Sequence, residues 1–359
     1  CGSAIKPVST YAPALDNGTI NGASVIDDYP MLLNGEVWPR NANWRYQGLT
    51  ALHTAIAQSL NTCAVRTNLA YGVSNSYDFL VDKLGFENLT YTDSQQVGNM
   101  ALGGFEKGVT TEEMSAAYAA FVNEGVYTKP RTFIRVEDAN GNVVLENEAQ
   151  STVAMKNTTA AIINHLLQEA ALNGTGYEAQ FSGMHIAGKT GSTNSNKDRY
   201  FVGYTPYYSC AVWAGYEHNQ RIVASGNPCS AVFRKVMSAI HADLADKDFF
   251  SCSGLTSVAV CADSGMLASE NCALDVRGSR VYTALVAADN APTAVCTMHT
   301  APTYTVNMAD SDGNVTTVTG SVLNYQRELI EGHDEIVVED AFMMLGGWNG
   351  FFGDEADDD

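Results

Sequence analysis

Apolar side chains recur at intervals of three or four residues in several parts of this chain, which predicts amphipathic helices. The predicted stripes run through residues 52–60, 114–122, 162–170 and 232–244. Thr110 and Glu113 have the spacing of a capping box in front of the second stripe, and Asn173-Gly174 stops the third. The opening residues, CGSAIKPVSTYAPAL, also predict a helix.

Strands are fewer than helices and fall into two groups. Residues 134–139 and 142–145 flank Asn140-Gly141, a turn sequence that favours a two-stranded hairpin. The strands predicted further along the chain are residues 185–190, 199–205 and 208–216. Their short links predict an antiparallel meander, and the 232–244 stripe offers an apolar face to cover it. Because most of the predicted helices precede the meander in the sequence, the pattern indicates an α+β fold.

Composition and charge exclude one class of partner. The chain has 359 residues and a net charge of −20, with a hydrophobic content of 45% that is enough for one large domain or two moderate ones. No cluster of basic residues could neutralise phosphates, so we expect no nucleic-acid partner. No run of roughly 18 apolar residues predicts a membrane span. Because a helical pattern starts at the first residues, we expect the N-terminus to be a truncation.

Three polar motifs follow one another along the chain. Ser3 and Lys6 are spaced i, i+3, so a helix places both side chains on one face, where a neutral lysine can activate a serine. The other motifs are Ser59-Leu60-Asn61 and Lys189-Thr190-Gly191-Ser192. Alone, the first two motifs are better explained as a solvated helix face and a helix end, and the third motif could equally be a strand bulge. Their order and spacing favour one shared site.

These motifs and their surroundings resemble the penicillin-binding, serine acyltransferase family. The segments that carry the resemblance are GSAIKP, SLNTCAVR, GVTTEEMSAAYAAF, NGTGYEA and KTGSTNSNKDRYFVGYTP. The last segment is most similar to the transpeptidase domain of bifunctional, class A penicillin-binding proteins. The resemblance covers residues 1–245 closely and 255–300 more loosely. It implies a penicillin-binding transpeptidase and serine β-lactamase-like α+β fold, an antiparallel sheet flanked by helices plus an all-α lobe.

The resemblance implies catalytic roles for the first two motifs. Ser3 would attack the penultimate D-alanine carbonyl of a stem peptide, with Lys6 as the base. Ser59 would pass a proton to the leaving D-alanine, and Asn61 would orient the acyl peptide. An amine from a neighbouring stem peptide would then resolve the acyl-enzyme and form the cross-link.

The third motif is expected, by the same resemblance, to hold the substrate. Lys189 would contribute electrostatically to catalysis, and Lys189 and Thr190 would engage the substrate carboxylate or its proton network. Gly191 would let the peptide approach and add to the strand edge, and the backbone N–H groups of Ser3 and Ser192 would form an oxyanion hole. The resemblance implies no cofactor and no catalytic metal.

The implied partners are peptidoglycan stem peptides ending in D-Ala-D-Ala and β-lactam antibiotics, at the extracytoplasmic face of a bacterial membrane. The family's glycosyltransferase domain, membrane anchor and first sheet strands have no counterpart in the sequence. We therefore expect membrane contact only through the missing N-terminal anchor, and slower acylation than in a longer chain.

Other readings remain open. A β-lactamase would need a deacylating glutamate between the second and third motifs, whereas Glu112 and Glu113 are better explained as helix-cap residues. A D,D-carboxypeptidase on the same fold and a catalytically impaired remnant are further alternatives. The sequence also departs from the family at Ser192, where threonine is more common, and at Arg199-Tyr200, where Ala-Trp is usual.

Three regions are predicted: a transpeptidase domain at residues 1–248, a cysteine-containing extension at 249–303, and an acidic linker and tail at 304–359. The cysteines found after the 232–244 stripe are Cys252, Cys261, Cys272 and Cys296. Cys-x-x-His at 296–299, with two upstream cysteines, matches a tetrahedral zinc site. An exported protein uses such cysteines more often in disulfides, so disulfides or free thiols are the favoured interpretation over zinc.

Overall fold

A computed structural model describes residues 1–33, 35–275, 277–299, 304–309 and 313–320. The protein has an α+β fold, as predicted. The α-helices are α1 (Ala12–Asp16), α2 (Leu52–Ala57), α3 (Asn61–Tyr71), α4 (Val73–Asp78), α5 (Tyr91–Gln95), α6 (Val97–Leu102), α7 (Thr111–Val122), α8 (Asn157–Leu172) and α9 (Pro228–Ile240). Short 3-10 helices span Gly2–Ile5, Tyr177–Ala179, Asn194–Asn196, Glu270–Leu274 and Ala288–Asn290, and π-helical stretches span Pro7–Tyr11 and Phe79–Lys83.

The strands are short except in the central sheet and in the C-terminal hairpins. In chain order they are β1 (Val25–Asp28), β2 (Leu32–Leu33), β3 (Glu36–Val37), β4 (Gly48–Ala51), β5 (Val126–Thr128), β6 (Arg135–Glu137), β7 (Val143–Glu146), β8 (Ser151–Val153), β9 (Ala187–Ser192), β10 (Asp198–Tyr204), β11 (Ser209–Gly215), β12 (Leu255–Cys261), β13 (Val281–Ala287), β14 (Tyr304–Ala309) and β15 (Val315–Gly320). The hairpin predicted around Asn140-Gly141 is confirmed as β6–β7.

The predicted meander is a three-stranded antiparallel sheet in the order β11–β10–β9. Its register pairs Val202 with Lys189 and Tyr200 with Gly191. Since β9 pairs with β10 alone among the described strands, its other edge can accept an extended peptide. The third motif therefore lies on a strand at the edge of the central sheet.

Helices cover both faces of this sheet. The ring of Phe233 on α9 packs edge-on against Phe201 of β10 with centroids 4.7 Å apart. On the other face, Tyr204 donates a hydrogen bond to Oδ1 of Asn164 on α8 at 2.7 Å. The prediction for the 232–244 stripe is right in part, because Phe233 and Met237 are buried. Val232, Val236 and Ile240 are about half exposed.

The residues 2–16 form one continuous helical segment, called here the N-terminal helix, which confirms the helix predicted there. It begins as the 3-10 turn, continues through the π-helical stretch and ends in α1. Most of its side chains are buried, and Oη of Tyr118 on α7 donates a hydrogen bond to its Ala4 carbonyl at 2.6 Å. The N-terminal helix is therefore a central element of the core.

The stripe predicted at 52–60 is interrupted. Helix α2 ends at Ala57 and α3 begins at Asn61, because Ser59 has a φ of +60°, in the left-handed region. Such a backbone conformation is uncommon for a residue with a side chain and is held here by the surrounding core. The second motif consequently occupies a tight turn between two helices.

Beyond α9, the strands β12 and β13 form a hairpin that opens a unit of residues 255–299, called here the cysteine module. The hydroxyl of Tyr282 in this hairpin donates to the Ala23 carbonyl at 3.4 Å.

Strands β14 and β15 form a second hairpin inside the segment predicted as a linker. Residues 321–359, most of the predicted linker and tail, lie outside the described residues. No helix in the described part of the chain is long and apolar enough to cross a membrane.

Candidate active site

The three motifs, separated by up to 189 residues in the sequence, meet where the N-terminal helix contacts β9 and the α2–α3 turn. Glycines allow the first of these contacts. A Cβ on Gly191 would lie 2.1 Å from the Cys1 carbonyl oxygen, and a Cβ on Gly2 would lie 2.3 Å from the Ser192 carbonyl oxygen. Both distances are far below contact, so neither position can hold a side chain without backbone movement. This packing puts half-buried Ser3 beside the end of β9.

Lys6 joins the first two motifs. Its fully buried Nζ donates to the Ser59 carbonyl at 2.7 Å and to Oδ1 of Asn61 at 2.7 Å. The Ser59 hydroxyl is 3.5 Å away, and the Leu60 carbonyl is 3.3 Å away. A neutral amine has two N–H groups, which can satisfy the two shortest contacts, and keeps one lone pair to accept a proton.

Burial makes the neutral form of this amine accessible. It lowers the pKa of Lys6 well below the usual range of lysine, and the positive charge of Lys189 lowers it further. Lys189 is also fully buried, and burial lowers its pKa to about 7. Its Nζ contacts the Thr190 carbonyl at 3.4 Å. A buried lysine with a lowered pKa can act as a general base at neutral pH.

Asn61 is held by a relay of buried polar groups that the sequence analysis missed. Its backbone N–H donates to Oδ1 of Asn41 at 2.7 Å, and its side-chain amide donates to the Arg40 carbonyl at 2.7 Å. Asn41 in turn donates to Oδ1 of Asp28 at 2.7 Å. Because Asn41 and Asp28 are buried, their hydrogen bonds fix the orientation of Asn61.

Two further side chains next to β9 were also missed. The hydroxyls of Thr175 and Thr190 share a hydrogen bond of 2.7 Å, and Nη1 of Arg199 donates to the Ser192 hydroxyl at 3.0 Å. Arg199 and Ser192 are cross-strand partners, so two departures from the family pattern contact each other. The segment NGTGYEA, which carries part of the resemblance, was the available signal for Thr175.

Glu113 serves as a helix cap, as predicted. Its Oε2 accepts a hydrogen bond from the Thr110 backbone at 2.7 Å, and its Oε1 accepts one from the Glu87 backbone at 2.8 Å. The carboxylate that a β-lactamase reading would recruit is therefore engaged in the capping box that begins α7.

Comparison with known proteins gives two matching sequence families. The penicillin binding protein transpeptidase domain matches residues 1–238, and the penicillin-binding protein 1A C-terminal domain matches residues 251–301. Penicillin-binding protein 1A of Clostridium perfringens is 35% identical over an alignment of 329 residues that covers 87% of this chain and 39% of that protein. Penicillin-binding protein 1A/1B of Bacillus subtilis is 34% identical over an alignment of 263 residues that covers 69% of this chain and 28% of that protein.

Solved structures share the fold. Penicillin-binding protein 1A from Haemophilus influenzae has a TM-score of 0.68 at 22% identity, covering 82% of this chain and 48% of that one. The D,D-transpeptidase domain of a peptidoglycan glycosyltransferase from Eggerthella lenta has a TM-score of 0.54 at 22% identity, covering 67% and 64%. The chain thus spans less than half the length of the curated relatives it matches.

Proposed function

The chain belongs to the penicillin-binding protein transpeptidase family, and on this premise we propose that it cross-links peptidoglycan stem peptides through an acyl-enzyme on Ser3. The observation that carries the proposal is the contact of Lys6 with both Ser59 and Asn61 beside the β9 edge. A buried lysine with a strongly lowered pKa, one turn from a half-buried serine, is the arrangement that acyl transfer needs.

Acylation begins when Oγ of Ser3 attacks the carbonyl of the penultimate D-alanine and gives its proton to Nζ of Lys6. The backbone N–H groups of Ser3 and Ser192 stabilise the negative charge on the carbonyl oxygen. The C–N bond then breaks, and the leaving D-alanine amine takes a proton through Ser59, whose hydroxyl lies 3.5 Å from Nζ of Lys6. Asn61 holds the acyl peptide. An amine of a second stem peptide attacks the ester and releases Ser3.

The third motif supplies substrate binding. The stem peptide pairs with the open edge of β9. The missing side chain of Gly191, expected to make room for that peptide, instead makes room for the Cys1 backbone of the N-terminal helix. Thr190, oriented by its hydrogen bond with Thr175, binds the terminal carboxylate of the stem peptide. The buried side chain of Lys189 contributes positive charge when it is protonated. β-Lactam antibiotics acylate Ser3 in the same way, at the extracytoplasmic face of the membrane. In this proposal residues 1–248 form the catalytic domain.

Labelling with a fluorescent penicillin, followed by intact-mass measurement, tests the proposal. The 359-residue chain should gain the mass of one penicillin, and Ser3→Ala should gain none. Ser238→Ala is the matched control, because Ser238 is an exposed serine on α9. An adduct that persists in Ser3→Ala, or a folded wild-type chain that gains no adduct, would contradict the proposal.

A further inference from the structure

The cysteine module gathers four potential metal ligands at one point. Cys261 ends β12, Cys272 lies in the 3-10 turn Glu270–Leu274, and Cys296 and His299 lie in the segment after β13. The three sulfur atoms and one ring nitrogen all lie within 4.8 Å of one another. All four residues are buried, with at most 3% of any of them exposed. This cluster is remote in sequence from the acyl-transfer motifs.

The distances in the cluster fit a tetrahedral centre. With Zn–S bonds of about 2.3 Å and Zn–N bonds of about 2.0 Å, a tetrahedron has sulfur–nitrogen edges of about 3.6 Å. Nδ1 of His299 lies 3.5 Å from the Cys261 sulfur and 3.6 Å from the Cys296 sulfur. Three thiolates and one imidazole form a ligand set typical of structural zinc.

The histidine is held in the tautomer that a metal needs. Its Nε2 lies 3.1 Å from Oδ2 of Asp275 and 3.2 Å from Oδ2 of Asp263. A proton on Nε2 satisfies these carboxylates, so Nδ1 carries the lone pair that faces the sulfurs. Carboxylates that accept from the outer nitrogen of a metal-binding histidine orient its ring and raise its basicity.

The same carboxylates are bound by arginines and serve as supports for the ring. Nη2 of Arg277 contacts Oδ2 of Asp263 at 2.7 Å, and its Nε contacts Oδ1 of Asp275 at 2.8 Å. Arg280 contacts Oδ1 of Asp263 at 2.9 Å. A Zn²⁺ ion with three thiolates carries a net charge of −1. The two arginines balance the charges of the two aspartates, so the buried cluster as a whole keeps the net charge of −1.

Backbone N–H groups also point at the sulfurs. The N–H of Asp263 donates to the Cys261 sulfur at 3.4 Å, and the N–H of Ser269 donates to the Cys272 sulfur at 3.4 Å. Hydrogen bonds of this kind favour the thiolate form that binds metal. All eight cysteines, each of which lies in the described residues, are unpaired, so of the favoured alternatives, disulfides or free thiols, the described residues contain the free thiols. A disulfide would also use only two of three converging sulfurs and leave His299 without a role.

We propose that Cys261, Cys272, Cys296 and His299 bind one structural Zn²⁺ ion that closes the cysteine module. The module has little apolar core of its own: its buried clusters contain Val260, Ala284, Val286 and the cysteines. Units of this size commonly need a metal or disulfides to fold. Zinc here contributes folding free energy and fixes the loop between β12 and β13.

Metal content of the full chain tests the proposal. Protein purified without chelator should contain one zinc per chain by elemental analysis, and the control Cys252→Ser should keep it, because Cys252 lies outside the cluster. Cys272→Ser should lose it. Replacing zinc with Co²⁺ in the wild-type chain should give the intense visible bands and thiolate charge-transfer band of tetrahedral cobalt. Because the cobalt measurement uses the wild-type chain, it remains informative even if Cys272→Ser fails to fold.

A second variant tests whether the carboxylate of Asp275 supports the imidazole ring of His299. Asp275→Asn should keep the cobalt spectrum but weaken zinc affinity on the order of 10- to 100-fold in competition with a chelator. Substoichiometric zinc after dialysis against excess Zn²⁺, or cobalt spectra without thiolate bands, would overturn the proposal. A Cys261, Cys272 or Cys296 disulfide found by peptide mapping of the wild-type chain, protected from added oxidant, would overturn it as well.

Discussion

Nζ of Lys6 lies 2.7 Å from Oδ1 of Asn61, although 55 positions separate the two residues in the sequence. The contact ties the N-terminal helix to the first turn of α3, and Asn61 is itself fixed by Asn41 and the Arg40 carbonyl. The position of the lysine amine is therefore set by groups on three separate segments. Because such a network has little freedom, we expect changes at Lys6 to act on chemistry more than on substrate binding.

Replacing Lys6 should nearly abolish acylation by penicillin. We expect Lys6→Ala to lower the second-order rate constant on the order of 100- to 10,000-fold, the contribution typical of a general base. Lys6→Arg should be equally impaired, since a guanidinium does not lose its proton. The exposed α9 residue Lys235 provides the control Lys235→Ala. Stopped-flow labelling measures the rates, and near-wild-type acylation by Lys6→Arg would exclude the base role.

The pKa of Lys189 should make stability depend on pH. Its folded-state pKa is about 7 and its ordinary value is 10.5, so the unfolded chain binds more protons between these pH values. The free energy of unfolding should therefore rise with pH across this window, by up to about 1.4 kcal/mol per unit for this group. Lys189→Met should remove that contribution, while Lys235→Met should retain it. Denaturant unfolding from pH 7 to 10 compares the slopes, and equal slopes would show that Lys189 stays protonated.

The hydrogen bond between Thr175 and Thr190 should matter for substrate binding. Thr175→Val leaves the Thr190 hydroxyl without its 2.7 Å partner, so acylation should slow about fivefold, equivalent to roughly 1 kcal/mol. Thr128→Val removes an exposed hydroxyl bond to Ser151 and is the control. A double-mutant cycle with Thr190→Val should be non-additive. Strictly additive effects would mean that the two hydroxyls act separately.

A side chain at Gly191 should separate the N-terminal helix from β9. Because its Cβ would lie 2.1 Å from the Cys1 carbonyl oxygen, the backbone must move, and Ser3 moves with it. We expect Gly191→Ala to reduce acylation about 100-fold and to lower the free energy of unfolding by about 1–3 kcal/mol. In Gly104→Ala the new Cβ meets its nearest atom at 3.7 Å, so this variant should change neither quantity. Unaltered acylation in Gly191→Ala would refute the close-packing argument.

Local signals were sufficient for much of the fold. The hairpin at Asn140-Gly141 and the capping box of Thr110 and Glu113 are encoded by residues three or four apart, and both are confirmed. The meander was predicted because its strands follow one another along the chain, so no distant pairing had to be inferred. The order of the three motifs indicated a joint site before any contact was known.

Features that depend on distant residues were not predictable. The left-handed backbone of Ser59 divides a continuous apolar stripe, and only the surrounding core imposes it. The supports of Asn61, at Asn41 and Asp28, carry no local pattern. The cysteine spacing allowed both zinc and disulfides, and the direction in which His299 faces, on which the zinc proposal rests, has no local signature in the sequence. In each case the deciding quantity is a position in space that sequence distance does not reveal.

The close packing of Gly2 on β9 also determines when the site can form during synthesis. The Cys1 and Gly191 backbones that touch are 190 residues apart, so the N-terminal helix leaves the ribosome long before its partner strand exists. At about 5–20 residues per second this delay lasts roughly 10–40 s. During that interval the first turn of the helix, residues 2–5, lacks the sheet on which it packs in the folded protein. Because the proposed site needs both segments, we expect a nascent chain to react with penicillin only after β9 has emerged.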